Sequence, residues 1–150
     1  MKIFIDADAC PRSVKDLVFG ASDRLRLPVV LVADRMVSRP RSRLVSTVVV
    51  PRDMDSADAH IVDRVAPGDL VITADIPLAA AVVAKDAVAI NPRGEVYTEQ
   101  NVRERLSLRD FSMSLRESGM DLGGPPPFSR QDKQRFASAL DRELTRLLKQ

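Results

Sequence analysis

Aspartates that directly follow apolar runs are the residues of this chain whose type and spacing best suit chemistry. Three groups share this position: Asp6 and Asp8 after Ile3-Phe4-Ile5, Asp53, Asp55 and Asp58 after Val48-Val49-Val50, and Asp75 after Val71-Ile72-Thr73. Carboxylates crowded at one edge of a sheet repel one another, and a divalent cation is the usual way to relieve that repulsion. The pattern therefore predicts a metal site.

The predicted site uses oxygen ligands alone. The chain has one histidine and one cysteine, which leaves a zinc site poorly supplied. Carboxylate oxygens suit Mg²⁺ or Mn²⁺, and either ion is the expected cofactor. The predicted metal ligands are Asp6, Asp8, Asp55, Asp58 and Asp75, and four of them, Asp6, Asp8, Asp58 and Asp75, are also the predicted catalytic residues.

Helix capping offers a second interpretation of the same aspartates, because aspartate is a preferred N-cap. Asp8 could cap a helix that begins at Pro11, Asp55 or Ser56 could cap the next helix, and Asp75 the one after it. Asp6 comes too early to be an ordinary cap. Three such turns at one edge favour a site for the group, although each residue alone is open to both interpretations.

Arginines near the same turns are candidate phosphate ligands, because a guanidinium forms forked hydrogen bonds with phosphate. The predicted phosphate-binding residues are Arg12, Arg39, Arg41 and Arg93. Arg39 and Arg41 belong to a segment with Arg35 and Arg43 that Pro40 interrupts, and a solvated loop is the alternative for that segment. With six aromatic residues in the chain, contacts to backbone phosphates are expected rather than base reading.

Cys10 lies just ahead of a predicted helix, where the helix dipole lowers a thiol pKa. It is therefore a conceivable nucleophile. Asp16 occupies the position where the phosphate loop of cysteine phosphatases has an arginine, so that pattern is missing. Packing is the alternative role for Cys10.

Strands and helices alternate through the first 90 residues, which predicts an α/β fold of three layers with a mostly parallel central sheet of about five strands. The predicted strands cover residues 2–6, 28–32, 44–50, 70–73 and 87–90, and the predicted helices begin at Pro11 and cover 56–65 and 76–85. Near-continuous apolar runs such as 44–50 are typical of strands covered on both faces.

The last third of the chain is predicted to be helical, with helices over 98–106 and 107–117. Residues 123–128, with two glycines and three prolines, form a linker or a binding loop. Ser129 and Asp132 resemble a capping box that begins a final helix. Its apolar stripe is expected to pack on the sheet and consists of Phe136, Leu140, Leu144 and Leu147.

Length and composition indicate the broad class. At 150 residues, the chain fits one domain over 1–150, with the helices of about 98–150 packed on it. The single cysteine excludes an internal disulfide, and neither a signal-like start nor an apolar stretch near 18 residues appears. We therefore expect a bacterial cytoplasmic protein with no membrane partner. The oligomeric state stays open.

Several short motifs resemble those of the YaiI/YqxD family of uncharacterised bacterial proteins, and the resemblance covers nearly the whole chain. These segments are Ile5-Asp6-Ala7-Asp8-Ala9-Cys10-Pro11, Asp55-Ser56-Ala57-Asp58, Ile72-Thr73-Ala74-Asp75-Ile76-Pro77-Leu78-Ala79, Asn91-Pro92-Arg93-Gly94-Glu95, Arg109-Asp110-Phe111 and Gly123-Gly124-Pro125. More distantly, the chain is similar to PIN-like and NYN nuclease domains. In those domains, acids after the first and fourth strands hold magnesium or manganese, which implies roles for Asp6, Asp8 and Asp75, with Asp55 or Asp58 between them. The chain departs from the NYN pattern at Ile76-Pro77, where such nucleases tend to carry a further acid.

The leading hypothesis is a metal-dependent phosphodiesterase or nuclease that acts on RNA or another nucleic acid. One alternative is a non-catalytic nucleic-acid- or protein-binding module with an inherited acidic pocket. Another is a phosphatase of the haloacid dehalogenase kind, because Asp6 and Asp8 have the spacing of its nucleophile and acid/base. That class needs a further acidic pair after a lysine, and no such pair follows Ile90.

Overall fold

The computed structural model describes residues 1–53, 55–120, 123–124 and 126–149. Its strands are β1 Ile3–Asp6, β2 Val29–Ala33, β3 Val45–Val49, β4 Leu70–Ile72, β5 Val88–Ile90 and β6 Val96–Tyr97. Its helices are α1 Arg12–Leu25, α2 Ser56–Arg64, α3 Ile76–Ala84, α4 Glu99–Glu117 and α5 Arg130–Leu148, with a short 3₁₀ turn at Ala7–Ala9.

The strands form one sheet in the order β3-β2-β1-β4-β5-β6. The first five strands are parallel, and β6 pairs antiparallel with β5. The chain builds outward from β1 to β3 and then crosses back to place β4 on the other side of β1. The strand order therefore reverses between β1 and β4, and open α/β sheets bind ligands at such a point.

Two helical layers cover the sheet because successive strand residues point to opposite faces. Ile3 and Ile5 belong to the core under α1 and α5, whereas Phe4 belongs to the core under α2, α3 and α4. All three side chains are at most 1% exposed. The predicted three-layer α/β class with a mostly parallel sheet is confirmed.

The C-terminal helices differ in how firmly they pack. In α5, Phe136, Leu140 and Leu144 are buried against the sheet, which confirms the predicted stripe. The predicted capping box is present: Asp132 N donates to Ser129 Oγ (3.2 Å) and Ser129 N donates to Asp132 Oδ2 (2.9 Å). In α4, Val102 is the buried residue.

Two predictions for this region were wrong in detail. The two helices predicted over 98–106 and 107–117 form one helix of 19 residues, because no glycine or proline interrupts its backbone hydrogen bonds. The strand β6 was missed because two residues are too few to show an alternating pattern. It follows a tight turn in which Asn91 Oδ1 accepts from Arg93 N and Glu95 N.

The loop predicted over residues 123–128 lies partly outside the described residues, because Pro125 is not among them. Within the described ranges, no helix combines the length and the apolar character needed to cross a bilayer.

Candidate functional site

Asp6 stands at the point where the strand order reverses. Its carboxylate is buried at the end of β1 and accepts a hydrogen bond at Oδ2 from Thr73 Oγ1 (2.9 Å), just beyond β4. Burial raises the pKa of Asp6, the Thr73 bond opposes that rise, and the charges of Asp75 and Asp8 add to it. The end of β1 is thus tied to the end of β4 through one carboxylate.

Asp75 has two roles. It caps α3, because Leu78 N donates to Asp75 Oδ1 (2.9 Å), and this confirms the capping interpretation for Asp75. Its own amide donates to Thr73 Oγ1 (3.0 Å), which places Asp75 beside Asp6. The cap therefore also fixes an acidic side chain at the reversal point.

Asp58, in the first turn of α2, completes the cluster. Its pKa is raised to about 6, chiefly by burial and then by the charges of Asp75, Asp6 and Asp55 and a hydrogen bond to Asp75. Every one of these influences favours the neutral acid. The negative charge of the three aspartates Asp6, Asp58 and Asp75, hereafter the acidic cluster, is therefore not balanced locally.

The other predicted ligands flank this cluster. Asp8 is exposed and accepts from Asp34 N (2.9 Å) at Oδ2, so it does not cap α1. Asp55 is also exposed and does not cap α2 through its side chain. Asp53, two positions before the N-cap, instead accepts at Oδ1 from the amides of Asp55 (3.1 Å) and Ser56 (2.8 Å).

The donor atoms of the acidic cluster suit a hard divalent cation, but its side chains are not yet placed to hold one. All of its donors are carboxylate oxygens carrying surplus negative charge, which is the donor set that Mg²⁺ or Mn²⁺ prefers. In the described part of the chain, however, no three His, Cys, Asp or Glu side chains are placed to hold one ion. One oxygen each of Asp6 and Asp75 is turned toward a hydrogen-bond donor, so side-chain rotation must accompany binding.

The predicted phosphate-binding arginines divide into two groups. Arg12 and Arg39 line the same cavity, of about 400 Å³, between α1 and the loop after β2. Arg41 is exposed in that loop. Arg93 lies elsewhere: it donates to Asp132 Oδ2 (3.0 Å) and to the Pro126 carbonyl, and so ties the start of α5 to the β5–β6 turn.

Sequence reasoning missed Thr73 and Lys15. Thr73 holds Asp6 and Asp75 together, and a hydroxyl directly after an apolar strand was the signal. Lys15 lines the cavity with Arg12 one helical turn away, a spacing that the sequence displays.

The thiol of Cys10 is not activated. Burial raises its pKa to about 12, the charge of Lys15 opposes that rise, and the charge of Asp6 adds to it. The expectation of a helix-lowered thiol pKa was therefore wrong, because burial outweighs the dipole. Cys10 packs in the core with Ala7 and Val14.

Comparison with known proteins places the chain in a family without assigning an activity. A family profile described as "Uncharacterized BCR, YaiI/YqxD family" matches residues 4–146. A UPF0178 protein of Geobacter metallireducens is 59% identical over 150 residues, covering 100% of this chain and 97% of the relative. A UPF0178 protein of Myxococcus xanthus is 54% identical over 149 residues, covering 99% and 97%.

No solved structure matches, so the likeness to PIN-like and NYN domains stays a prediction. The family resemblance, by contrast, is confirmed over almost the full length. The chain belongs to the YaiI/YqxD family.

Proposed function

We propose that this protein is a metal-dependent phosphodiesterase that cleaves RNA or another nucleic acid at the acidic cluster. One observation carries the proposal: Asp6, Asp58 and Asp75 come from three separate segments to the point where the strand order reverses. There burial, together with the charges of Asp75 and Asp6, raises the pKa of Asp58 to about 6. Helix capping alone would not require these three carboxylates to lie close together.

The surplus charge supports a cation at this position. Within the described ranges, none of the three carboxylates forms an ion pair with lysine or arginine. Asp6, Asp58 and Asp75 would hold Mg²⁺ or Mn²⁺, with Asp8 and Asp55 at the margin. A divalent cation at such a site supplies a nucleophilic water and stabilises charge on the leaving oxygen.

The chain's own groups would orient the reacting parts. Thr73 holds Asp6 through one carboxylate oxygen, and the α3 cap holds Asp75 through one carboxylate oxygen. Arg12 and Arg39 line the cavity beside α1, where they would bind a phosphate of the substrate strand. Arg93 is engaged with Asp132 and would reach a phosphate only through its remaining N–H groups. The cytoplasmic location expected from the sequence belongs to the same proposal.

The test is hydrolysis of a labelled single-stranded RNA by the full chain with Mg²⁺, Mn²⁺ or EDTA. Asp6→Asn and Asp75→Asn are suitable variants, because asparagine can still accept the Thr73 bond and still cap α3. Each should lower kcat/KM at least about a hundredfold, since each removes a charged ligand. The matched control is Asp63→Asn, an exposed aspartate on α2 whose side chain is 83% exposed.

Cleavage that persists in EDTA, or that survives both cluster substitutions, would contradict the proposal. RNA binding without cleavage, indifferent to metal and to both substitutions, would instead identify a non-catalytic binding module.

A further inference from the structure

The cavity beside α1 is separate from the acidic cluster and has its own chemistry. Arg12, Lys15 and Phe19 line it from one face of α1, since positions three and four apart share a helix face. Ser38 and Arg39 line it from the loop between β2 and β3. Its volume of about 400 Å³ lies within the range of small-molecule sites.

The charge of the cavity suits a dianion. Its lining includes three cations, Arg12, Lys15 and Arg39, and one carboxylate, Asp16, which leaves a net charge of +2. Within the described residues, the side chains of Arg12 and Lys15 form no hydrogen bond or ion pair, so both are available to a ligand. Arg39 is held in place because its Nη1 donates to the Val45 carbonyl (2.6 Å), and in the described part of the chain its other N–H groups donate no hydrogen bond. A terminal phosphate carries close to two negative charges, whereas a phosphodiester carries one.

Two further side chains of the cavity, Phe19 and Asp16, have no role in binding a free phosphate. Phe19 is partly buried against the core, which holds its ring against the cavity wall. A nucleic-acid base stacks on such a ring. Asp16 repels a phosphate but can accept a hydrogen bond from a ribose hydroxyl or a base amine.

We infer that this cavity binds a nucleotide bearing a terminal phosphate. Arg12, Lys15 and Arg39 grip the phosphate, Phe19 stacks with the base, and Asp16 accepts from the sugar or the base. Arg12 is six positions after Asp6, so the Cα atoms of these two residues lie at most about 20 Å apart. The inference rests on the proposed function to this extent: the bound nucleotide is the end of the strand that the acidic cluster cleaves.

Binding can be measured without catalysis, which separates this inference from the proposed function. The full chain is titrated calorimetrically in EDTA with 5′-AMP, 3′-AMP, adenosine and inorganic phosphate. At least one of the two nucleotides should bind at least about tenfold more tightly than both adenosine and phosphate, since each of those lacks one set of contacts. Asp6→Asn should bind that nucleotide as the natural protein does, even though its hydrolysis is expected to fail.

Two variants test the contacts. Lys15→Gln should weaken nucleotide binding at least about tenfold by removing a charged donor, and Phe19→Leu about tenfold by removing the stacking surface while keeping apolar volume. The control is Arg24→Gln, which removes one positive charge near the other end of α1, roughly 13 Å further along the helix. It should leave the affinity unchanged. Circular dichroism of each variant confirms the fold.

Undetectable nucleotide binding, phosphate binding as tight as nucleotide binding, or an equal loss in Arg24→Gln would each overturn the inference. If the nucleotide binds as described while no RNA is cleaved, the inference of a nucleotide-binding cavity holds and the proposed phosphodiesterase function is wrong.

Discussion

Replacing Asp58 with asparagine should make the protein more stable at neutral pH, although it removes a residue of the proposed site. In the unfolded chain this carboxyl ionises near its ordinary pKa of 3.8, and in the folded protein its pKa is about 6. Between these values the folded protein keeps a proton that the unfolded chain releases. The free energy of unfolding therefore falls as the pH rises from about 4 to about 6, and it stays low above pH 6.

The size of the effect follows from the shift in pKa. Each pKa unit corresponds to about 1.4 kcal/mol, so the full shift sets an upper limit of about 3 kcal/mol. Asp58 is only half-buried, so solvent weakens the burial and charge effects that raise its pKa, which reduces the expected gain to about 1–2 kcal/mol. Asparagine carries no charge and can still donate a hydrogen bond to Asp75. The gain should therefore appear above pH 6 and vanish below pH 4.

The assay is urea unfolding followed by circular dichroism in EDTA, from pH 4 to pH 8. Asp63→Asn, on the exposed side of the same helix, is the control and should change the free energy of unfolding by less than about 0.5 kcal/mol. The electrostatic reasoning would be refuted if Asp58→Asn were no more stable than the natural protein at pH 8. It would also be refuted if the gain in the free energy of unfolding were the same at pH 4 and pH 8.

Three further predictions concern other parts of the fold. Cys10, 8% exposed and with its pKa raised to about 12, should react with iodoacetamide at pH 8 only after unfolding; fast labelling of the folded protein would contradict this. Gly94→Ala should lower the free energy of unfolding by at least about 2 kcal/mol, because the new Cβ would lie 2.5 Å from the Arg135 carbonyl carbon at a φ of +94°. Its control, Gly20→Ala in α1, meets nothing within 4 Å and should stabilise the protein by about 0.5–1 kcal/mol; similar effects of both changes in urea unfolding would refute the contact. Ser129→Ala removes the cap of α5 and should cost about 1 kcal/mol in the same assay, whereas no change would mean that the cap contributes nothing.

The sheet was predictable from sequence because its strands are short apolar runs separated by clear turns. Val45–Val49 and Leu70–Ile72 fall within the predicted ranges for this reason. The position of β4 beside β1 was not predictable from any single segment, since it depends on how the crossover returns. It is this pairing that brings Asp75 to Asp6.

Individual side-chain partners were less predictable than the elements. The sequence allowed Asp8, Asp55 or Ser56 to cap helices through their side chains. In the structure, the side chain of Asp53 instead accepts from the amides of Asp55 and Ser56 at the start of α2. Arg93 was expected to be free for phosphate, but it binds Asp132, 39 positions later in the chain. Long-range partners of this kind depend on how the elements pack, and no local sequence pattern predicts them.

A crystal grown with Mn²⁺ and measured at the manganese anomalous edge tests the central claim most directly. The account predicts a peak within bonding distance of carboxylate oxygens from Asp6, Asp58 and Asp75, with at least one of the three side chains turned from its metal-free orientation. An anomalous map without a peak between the ends of β1 and β4, with all three carboxylates keeping their present hydrogen bonds, would contradict it.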